Sequence, residues 1–397
     1  MLRRFLPLVP AALGGVLSLG VAACAPATVP PAATASARAA TAPYDASRDS
    51  LRFPGEAHLR NVRQLTFGGN NAEAYWSYDD KQLIFQSDWS RINAQGCDQQ
   101  FVMNVDGSPL APAPPARDSA RSARDARYRL VSTGRGRTTC GYFLPTGEIV
   151  YASTHAGGPA CPPVENAPGR YVWSIYDTYD IYIANADGTN PRPYISGPGY
   201  DAEATVSPDG RYVVYTSTRG GDLDLYRFDR TTGETLQLTD TPGYDGGAFF
   251  SRDSKMLVWR ASRPTGADLA AYRSLLAQGH VEPSEMSLFV ANADGSDARQ
   301  VTRLPGASWA PFFTPDGTRL LFSSNHESVQ GGTGGRTFAV YMVGVDGSGM
   351  QKITHSNTFE AFPMFSNDGT KLVFASNRRA DRQPSRETNI FVADWVE

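Results

Sequence analysis

Acidic and aromatic side chains recur in this chain just ahead of runs of β-forming residues. They are Glu73 with Tyr75, Tyr200 with Asp201 and Glu203, Tyr244 with Asp245, Trp309, and Phe359 with Glu360. Carboxylates beside aromatic faces can hold a cation, a basic peptide or a sugar. The same groups can instead be satisfied by backbone amides of neighbouring segments. Four histidines, His155, His280, His326 and His355, follow such runs or a short helix. Neutral imidazoles with carboxylates could hold a transition metal, and His155, His326 and His355 are the candidates. Their separations are large and show no ligand spacing, so solvated loop histidines are the default expectation and no cofactor is expected.

Other chemistries are excluded more firmly. Gly331-Gly332-Thr333-Gly334-Gly335 lacks the lysine and spacing of a phosphate loop. Asp187-Gly188 and Asp294-Gly295 are not calcium loops, because Ile183 and Val290 stand where the EF-hand pattern needs an acid. No Gly-x-Ser-x-Gly occurs, which argues against a serine hydrolase of the prolyl-oligopeptidase kind.

The elements that must position these residues repeat. A turn such as Ser207-Pro208-Asp209-Gly210 leads into an apolar strand, Val213-Val214-Tyr215, ending in Thr216-Ser217. Thr314-Pro315-Asp316-Gly317 leads likewise into Leu320-Leu321-Phe322, and six copies can be aligned. Each continues into a second hairpin with Asp-Gly or a similar turn, then a short strand such as Gln237-Leu238-Thr239. Ser207–Gly210, Tyr215-Thr216-Ser217-Thr218-Arg219-Gly220 and Asp224-Leu225-Tyr226 together are similar to the TolB-type β-propeller repeat. The resemblance covers roughly residues 60 to 397 and implies an all-β fold, a six-bladed propeller of four-stranded antiparallel blades. The last copy lacks an outer strand, and Val62–Phe67 precedes the first, so the N-terminal strand should close the last blade.

In a propeller the acidic and aromatic positions ring one mouth of the central channel, here called the top. Long insertions fall there as well. Thr265–Asp268 resembles a capping box, and Leu269, Tyr272, Leu275 and Leu276 follow at helical spacing before Gly279. That helix should pack on its own blade or present a partner-binding face. Cys97, Cys140 and Cys161 all map to the top of blades one and two. A Cys140–Cys161 disulfide is the first expectation, with Cys97–Cys140 an alternative. Arg219, Arg263 and Arg378 follow second strands and should form ion pairs within their blades, with acids such as Asp180 or Asp224.

The chain's start sets its compartment. Arg3 and Arg4, an apolar run from Phe5 to Val21, and Val21-Ala22-Ala23-Cys24 resemble a bacterial lipoprotein signal. The resemblance implies cleavage after residue 23, acylation of Cys24, and, with Ala25 next, an outer-membrane location facing the periplasm. Residues 24–56 are rich in Ala, Pro and Thr and read as a tether; 57–397 form the propeller. The net charge of −3 makes no electrostatic case for nucleic acid. The leading expectation is a monomeric, non-catalytic protein held to the membrane by its lipid, binding an envelope protein or peptide. Carbohydrate binding and a metal-dependent lyase resembling oligogalacturonate lyases are the alternatives. TolB itself carries an α/β domain ahead of its propeller and no lipid, so its role does not transfer directly.

Overall fold

The computed structural model describes residues 45, 49–111, 125–164, 170–332, 334–383 and 385–397. The signal segment, Cys24 and most of the expected tether lie outside them. Among the described residues, no helix is long and apolar enough to cross a membrane.

Turn chemistry sets the repeat. In blade three, Ser207 Oγ donates to Asp209 Oδ1 at 2.5 Å, and the same oxygen accepts the Arg211 amide at 3.0 Å. Ser77–Asp79, Ser251–Asp253, Thr314–Asp316 and Ser366–Asp368 repeat the pair. Such a side chain closing on its own backbone favours a turn over a continued strand. Gly210, Gly317 and Gly369 then take φ of 73–74°, where glycine costs least; Asp80 and Ser254 hold the same position without it.

These turns join strands into six four-stranded antiparallel sheets. The inner strands are Asn71–Trp76, Thr138–Phe143, Asp201–Val206, Asp245–Phe250, Ser308–Phe313 and Glu360–Phe365. Second strands are deeply buried, with Leu83, Ile149, Val213, Leu320 and Leu372 at 0% exposure. Burial of each such side chain stabilises the fold by about 1.5–3 kcal/mol.

The last blade is ordered Leu59–Gln64, Asn389–Trp395, Lys371–Ser376, Glu360–Phe365. Leu59 lies opposite Trp395 and Gln64 opposite Phe391, so the N-terminal strand closes the ring. It begins three residues before the expected Val62 start. It also ends early, because Thr66 uses its hydroxyl rather than its carbonyl to accept the Ile390 amide, at 2.9 Å. Thr239, Thr302 and Thr354 accept strand-three amides in the same way, at 2.8–2.9 Å.

The folded unit starts before residue 57. Asp49 Oδ1 accepts the Val62 amide at 3.1 Å, and Glu56 is fully buried. Arg378, also fully buried, binds Glu56 Oε1 at 2.9 Å and pairs with Glu360. Residues 49–56, read from composition as tether, are therefore docked on the last blade; their few charged and aromatic residues do this, not their average polarity.

Replacing Arg378 would leave two carboxylates facing each other in a dry interior. Arg378→Leu should lower unfolding stability by about 3–5 kcal/mol. Urea unfolding of both proteins checks this; a loss below 1 kcal/mol would show the triad is not holding the segment.

Candidate functional site in the propeller channel

Every inner strand carries the same irregularity. Pairing with the second strand shifts between its second and fifth residues in all six blades. The third residue takes a positive φ: Glu73 52°, Cys140 50°, Glu203 57°, Gly247 60°, Ala310 47°, Phe362 58°. A bulge of this kind re-aims one side chain, and for non-glycine residues it costs about 1–3 kcal/mol each. These six residues all line one cavity of about 20 Å³ in the channel. That is room for one water molecule.

The ring is polar on one side. Glu203 Oε2 accepts from Thr216 Oγ1 at 2.8 Å, Tyr244 Oη at 2.7 Å and the Gly247 amide at 3.0 Å. Its Oε1 pairs with Arg260, whose guanidinium also donates to Tyr244 Oη at 2.8 Å. Blade four makes room for this: a Cβ on Gly247 would stand 2.0 Å from Arg260 Nη1, and one on Gly246 2.4 Å from Glu203 Oε2. Glu73 and Cys140 line the same cavity on its other side. Glu73 Oε2 is buried without a partner, as is Arg260 Nε. Burial pushes the Glu73 carboxyl up to about 7 and the Cys140 thiol well above its ordinary value.

Aromatic layers enclose the ring. Below it, Tyr75, Tyr142, Phe249 and Phe312 pack with ring centroids 5.4–6.4 Å apart. Above it, insertions from blades two and four meet. Strand Trp173–Ser174 pairs with His280–Val281, which follows the helix Gly266–Leu276. The helix packs through Tyr272 and Leu275; Thr265 precedes it but makes no capping bond with its side chain. Trp173 lies over Arg260 at 5.0 Å and beside Trp309 at 5.3 Å and Tyr244 at 6.1 Å.

The disulfide serves this roof and corrects the sequence reading. Cys97 pairs with Cys161, joining blade one to the blade-two insertion. Neither Cys140–Cys161 nor Cys97–Cys140 forms, because the bulge turns Cys140 into the channel as a buried free thiol.

Most of the expected site acids are already engaged. Arg219 holds Asp201 by two bonds of 3.0 Å, Arg263 holds Asp245 at 2.7 and 2.9 Å, and Arg378 holds Glu360 at 3.0 Å. The partners are thus the acids that open the inner strands, not Asp180 or Asp224. The candidate metal ligands share this explanation. His155 and His326 occupy the arginine's place: each follows its second strand and bonds the serine two residues back, at 2.8 and 3.1 Å. Each ring packs on a strand-three tyrosine, Tyr182 or Tyr341. Blades two and five lie on opposite sides of a six-fold ring, so these imidazoles point at no common ion. His355 is elsewhere, against Gly55 and Glu56. No group of metal-competent side chains converges among the described residues. Trp309 is 7% exposed and donates to the Pro283 carbonyl at 3.0 Å. Tyr200 is also buried.

Outside the roof, a groove of about 940 Å³ runs between the end of the helix and blade three. Tyr176, Asp177, Asp222, Asp224, Asp240 and Arg273 are among its lining residues. Burial first, then the neighbouring acids, pushes the Asp224 carboxyl up to about 6, against the Thr239 hydrogen bond.

No protein-family model matches the chain. Among curated proteins, the Tol-Pal system protein TolB of Bordetella pertussis is 28% identical over 177 residues, 45% of this chain and 34% of that protein. The match thus spans about a third of the relative's length. Among solved structures, TolB from Acinetobacter baumannii aligns with a TM-score of 0.50 at 15% identity, over 73% of this chain and 56% of that one. A TolB from Agrobacterium tumefaciens, described as putative, gives 0.50 at 16%, over 85% and 97%. This is a TolB-like propeller, and it is not TolB itself.

Sequence reasoning located the ring of this TolB-like propeller at Glu73 and Glu203 but missed Arg260. A signal was present: Arg260 interrupts the apolar strand Met256–Ala261 opposite Gly246-Gly247, two adjacent glycines that leave space. Nothing in the sequence distinguishes Trp173 from any other loop aromatic.

Two outcomes follow for the TolB-like propeller. Glu73 keeps a proton in the fold that the unfolded chain gives up near pH 4.5, so stability should fall by about 3 kcal/mol as pH rises from about 4.5 to 7. Glu73→Gln should remove that component, checked by urea unfolding at pH 5 and pH 8; equal slopes in both proteins would contradict it. Non-reducing peptide mapping should recover Cys97 linked to Cys161, with Cys140 alkylated only after unfolding agents or long exposure.

Proposed function

We propose that this protein is an exported lipoprotein, anchored through Cys24 to the outer membrane and facing the periplasm, whose propeller binds a protein or peptide of the cell envelope. The groove carries this reading. It is large, open, and lined by aromatic and acidic side chains beside the inserted helix. Tyr is enriched at protein interfaces, and binding sites for small ligands are concave. The similarity to TolB, a Tol-Pal system protein by name, supports an envelope role. The channel offers less to a sugar, since Tyr244, Trp309 and Glu203 have their polar atoms engaged within the fold. A metal-dependent lyase has no support in the separate settings of His155, His326 and His355.

A photo-crosslinking residue at Tyr176 or Asp240, in intact cells, should capture one or a few envelope proteins. The same residue at Leu236, an exposed site on the rim of blade three, should not. Equal capture at both positions would count against a groove-specific partner. Cys24→Ser should move the protein from the membrane to the soluble fraction; unchanged fractionation would count against lipidation.

A further inference from the structure

The charges that border the outer groove do not balance. Four aspartates line it, Asp177, Asp222, Asp224 and Asp240, against one cation, Arg273, which forms no ion pair with them. Asp222 and Asp224 are tied into the fold by neutral donors. Asp222 accepts from Tyr272, from the Leu223 amide at 2.8 Å and from the Gly243 amide at 3.1 Å. Asp224 accepts from Thr239 Oγ1 at 3.1 Å and Gln237 Nε2 at 3.2 Å. Asp201, Asp245 and Glu360, by contrast, each hold an arginine. The charged neighbours that act most on Asp224 are Asp245, Asp222 and Asp240, all acids. The Asp177 and Asp240 carboxylates are exposed and make no hydrogen bond or ion pair among the described residues. Carboxylates gathered in a cleft without a counter-charge focus a negative potential that draws cations. His280 borders the same groove and is only 8% exposed. Its Nδ1 meets the Gln278 carbonyl at 2.8 Å, and a carbonyl only accepts, so Nδ1 carries a proton. In the neutral ring Nε2 is then a bare acceptor, buried with no partner among the described residues. A water can answer that atom, but it leaves the carboxylates unbalanced; a cationic N–H answers both.

We propose that the groove takes a basic segment of a peptide or protein, whose arginine or lysine side chain is held by the groove's aspartates and by His280. This rests on the groove as the binding site proposed above and names the chemistry that its partner presents. At about 940 Å³ the groove has room for a peptide segment. Tyr176 adds an aromatic face for the cation, since its hydroxyl is already spent on the Pro163 carbonyl at 2.8 Å. An acidic segment would meet like charge along the groove. A bare metal ion fits less well, because no group of metal-competent side chains converges among the described residues.

The probe is an end-capped peptide of alternating glycine and arginine that carries an uncharged dye. Its control has citrulline, the uncharged isostere, in place of each arginine. Fluorescence anisotropy follows the binding of each to the full-length protein in non-ionic detergent. The arginine peptide should bind about tenfold or more tightly than the citrulline peptide, as a charge-assisted contact does. Asp177→Asn with Asp240→Asn removes two exposed carboxylates that hold nothing in the fold, and should weaken the arginine peptide about fivefold or more. Glu387→Gln with Glu397→Gln removes the same charge from exposed positions outside the groove, and should leave the Kd within about twofold. Equal affinity for the two peptides, equal loss in the two double variants, or no saturable binding of the arginine peptide would each overturn the basic-segment class. If one of these occurs while crosslinking at Tyr176 or Asp240 still captures a partner in cells, the groove stands as a binding site and only its charge preference falls. If capture is also equal at Leu236, both readings fall.

Discussion

A backbone distortion repeated six times governs this molecule. In an unbroken inner strand, alternation would place the third side chain against the neighbouring blade. The left-handed bulge turns it into the channel instead, so Glu73, Cys140, Glu203, Gly247, Ala310 and Phe362 meet in one layer. Five of the six are not glycine, so the conformation is held against its intrinsic cost by the second strand on one side and the ring on the other. The ring's composition then decides what the channel is. With two glutamates, a cysteine and Arg260 reaching through Gly246-Gly247, it is a polar layer between two aromatic ones.

The acids at the top of the channel show how a repeat can mislead. A carboxylate before a strand, seen once, suggests a ligand. Seen with an arginine 18 residues later in three blades, it is half of an ion pair. The arginine also lies over aromatic rings, Tyr215 and Tyr226, Phe289, or Phe374. The position therefore needs a flat, hydrogen-bonding group that stacks. His155 and His326 meet that need in blades two and five, which is why they stand in the repeat and apart from each other. The surplus of negative charge left over, at Asp177, Asp222 and Asp240, is displaced to the outer groove.

The roof belongs to no single blade. The blade-two insertion runs from a disulfide at blade one to Trp173 against residues of blades four and five. Cys161 is held by the disulfide, and Trp173–Ser174 by two strand pairs together with the packing of Trp173 on Arg260, Tyr244 and Trp309. Residues 49–56 are a second such addition, docked by Arg378 between Glu56 and Glu360. Both additions use charge and aromatic stacking to join a framework whose own hydrogen bonds are already spent within the blades.

The sequence by itself determined the propeller, its six blades, its four strands per blade and its closure by an N-terminal strand. Those features are local and periodic: a Ser-x-Asp turn, an alternating strand and a Thr that ends the outer strand each act within a few residues, and repetition makes them legible. It also placed Glu73 and Glu203 in the channel, since the repeat carries their position. What only the tertiary structure decided is non-repeating or long-range. Arg260 pairs with Glu203 across 57 residues, Cys97 with Cys161 across 64, and Arg378 with Glu56 across 322. Such partners are chosen by which surfaces the closed ring brings together, and no spacing along the chain encodes them. The histidines and the acids of the channel mouth were visible as residue types, but whether they were free to act depended on neighbours that only the ring supplies.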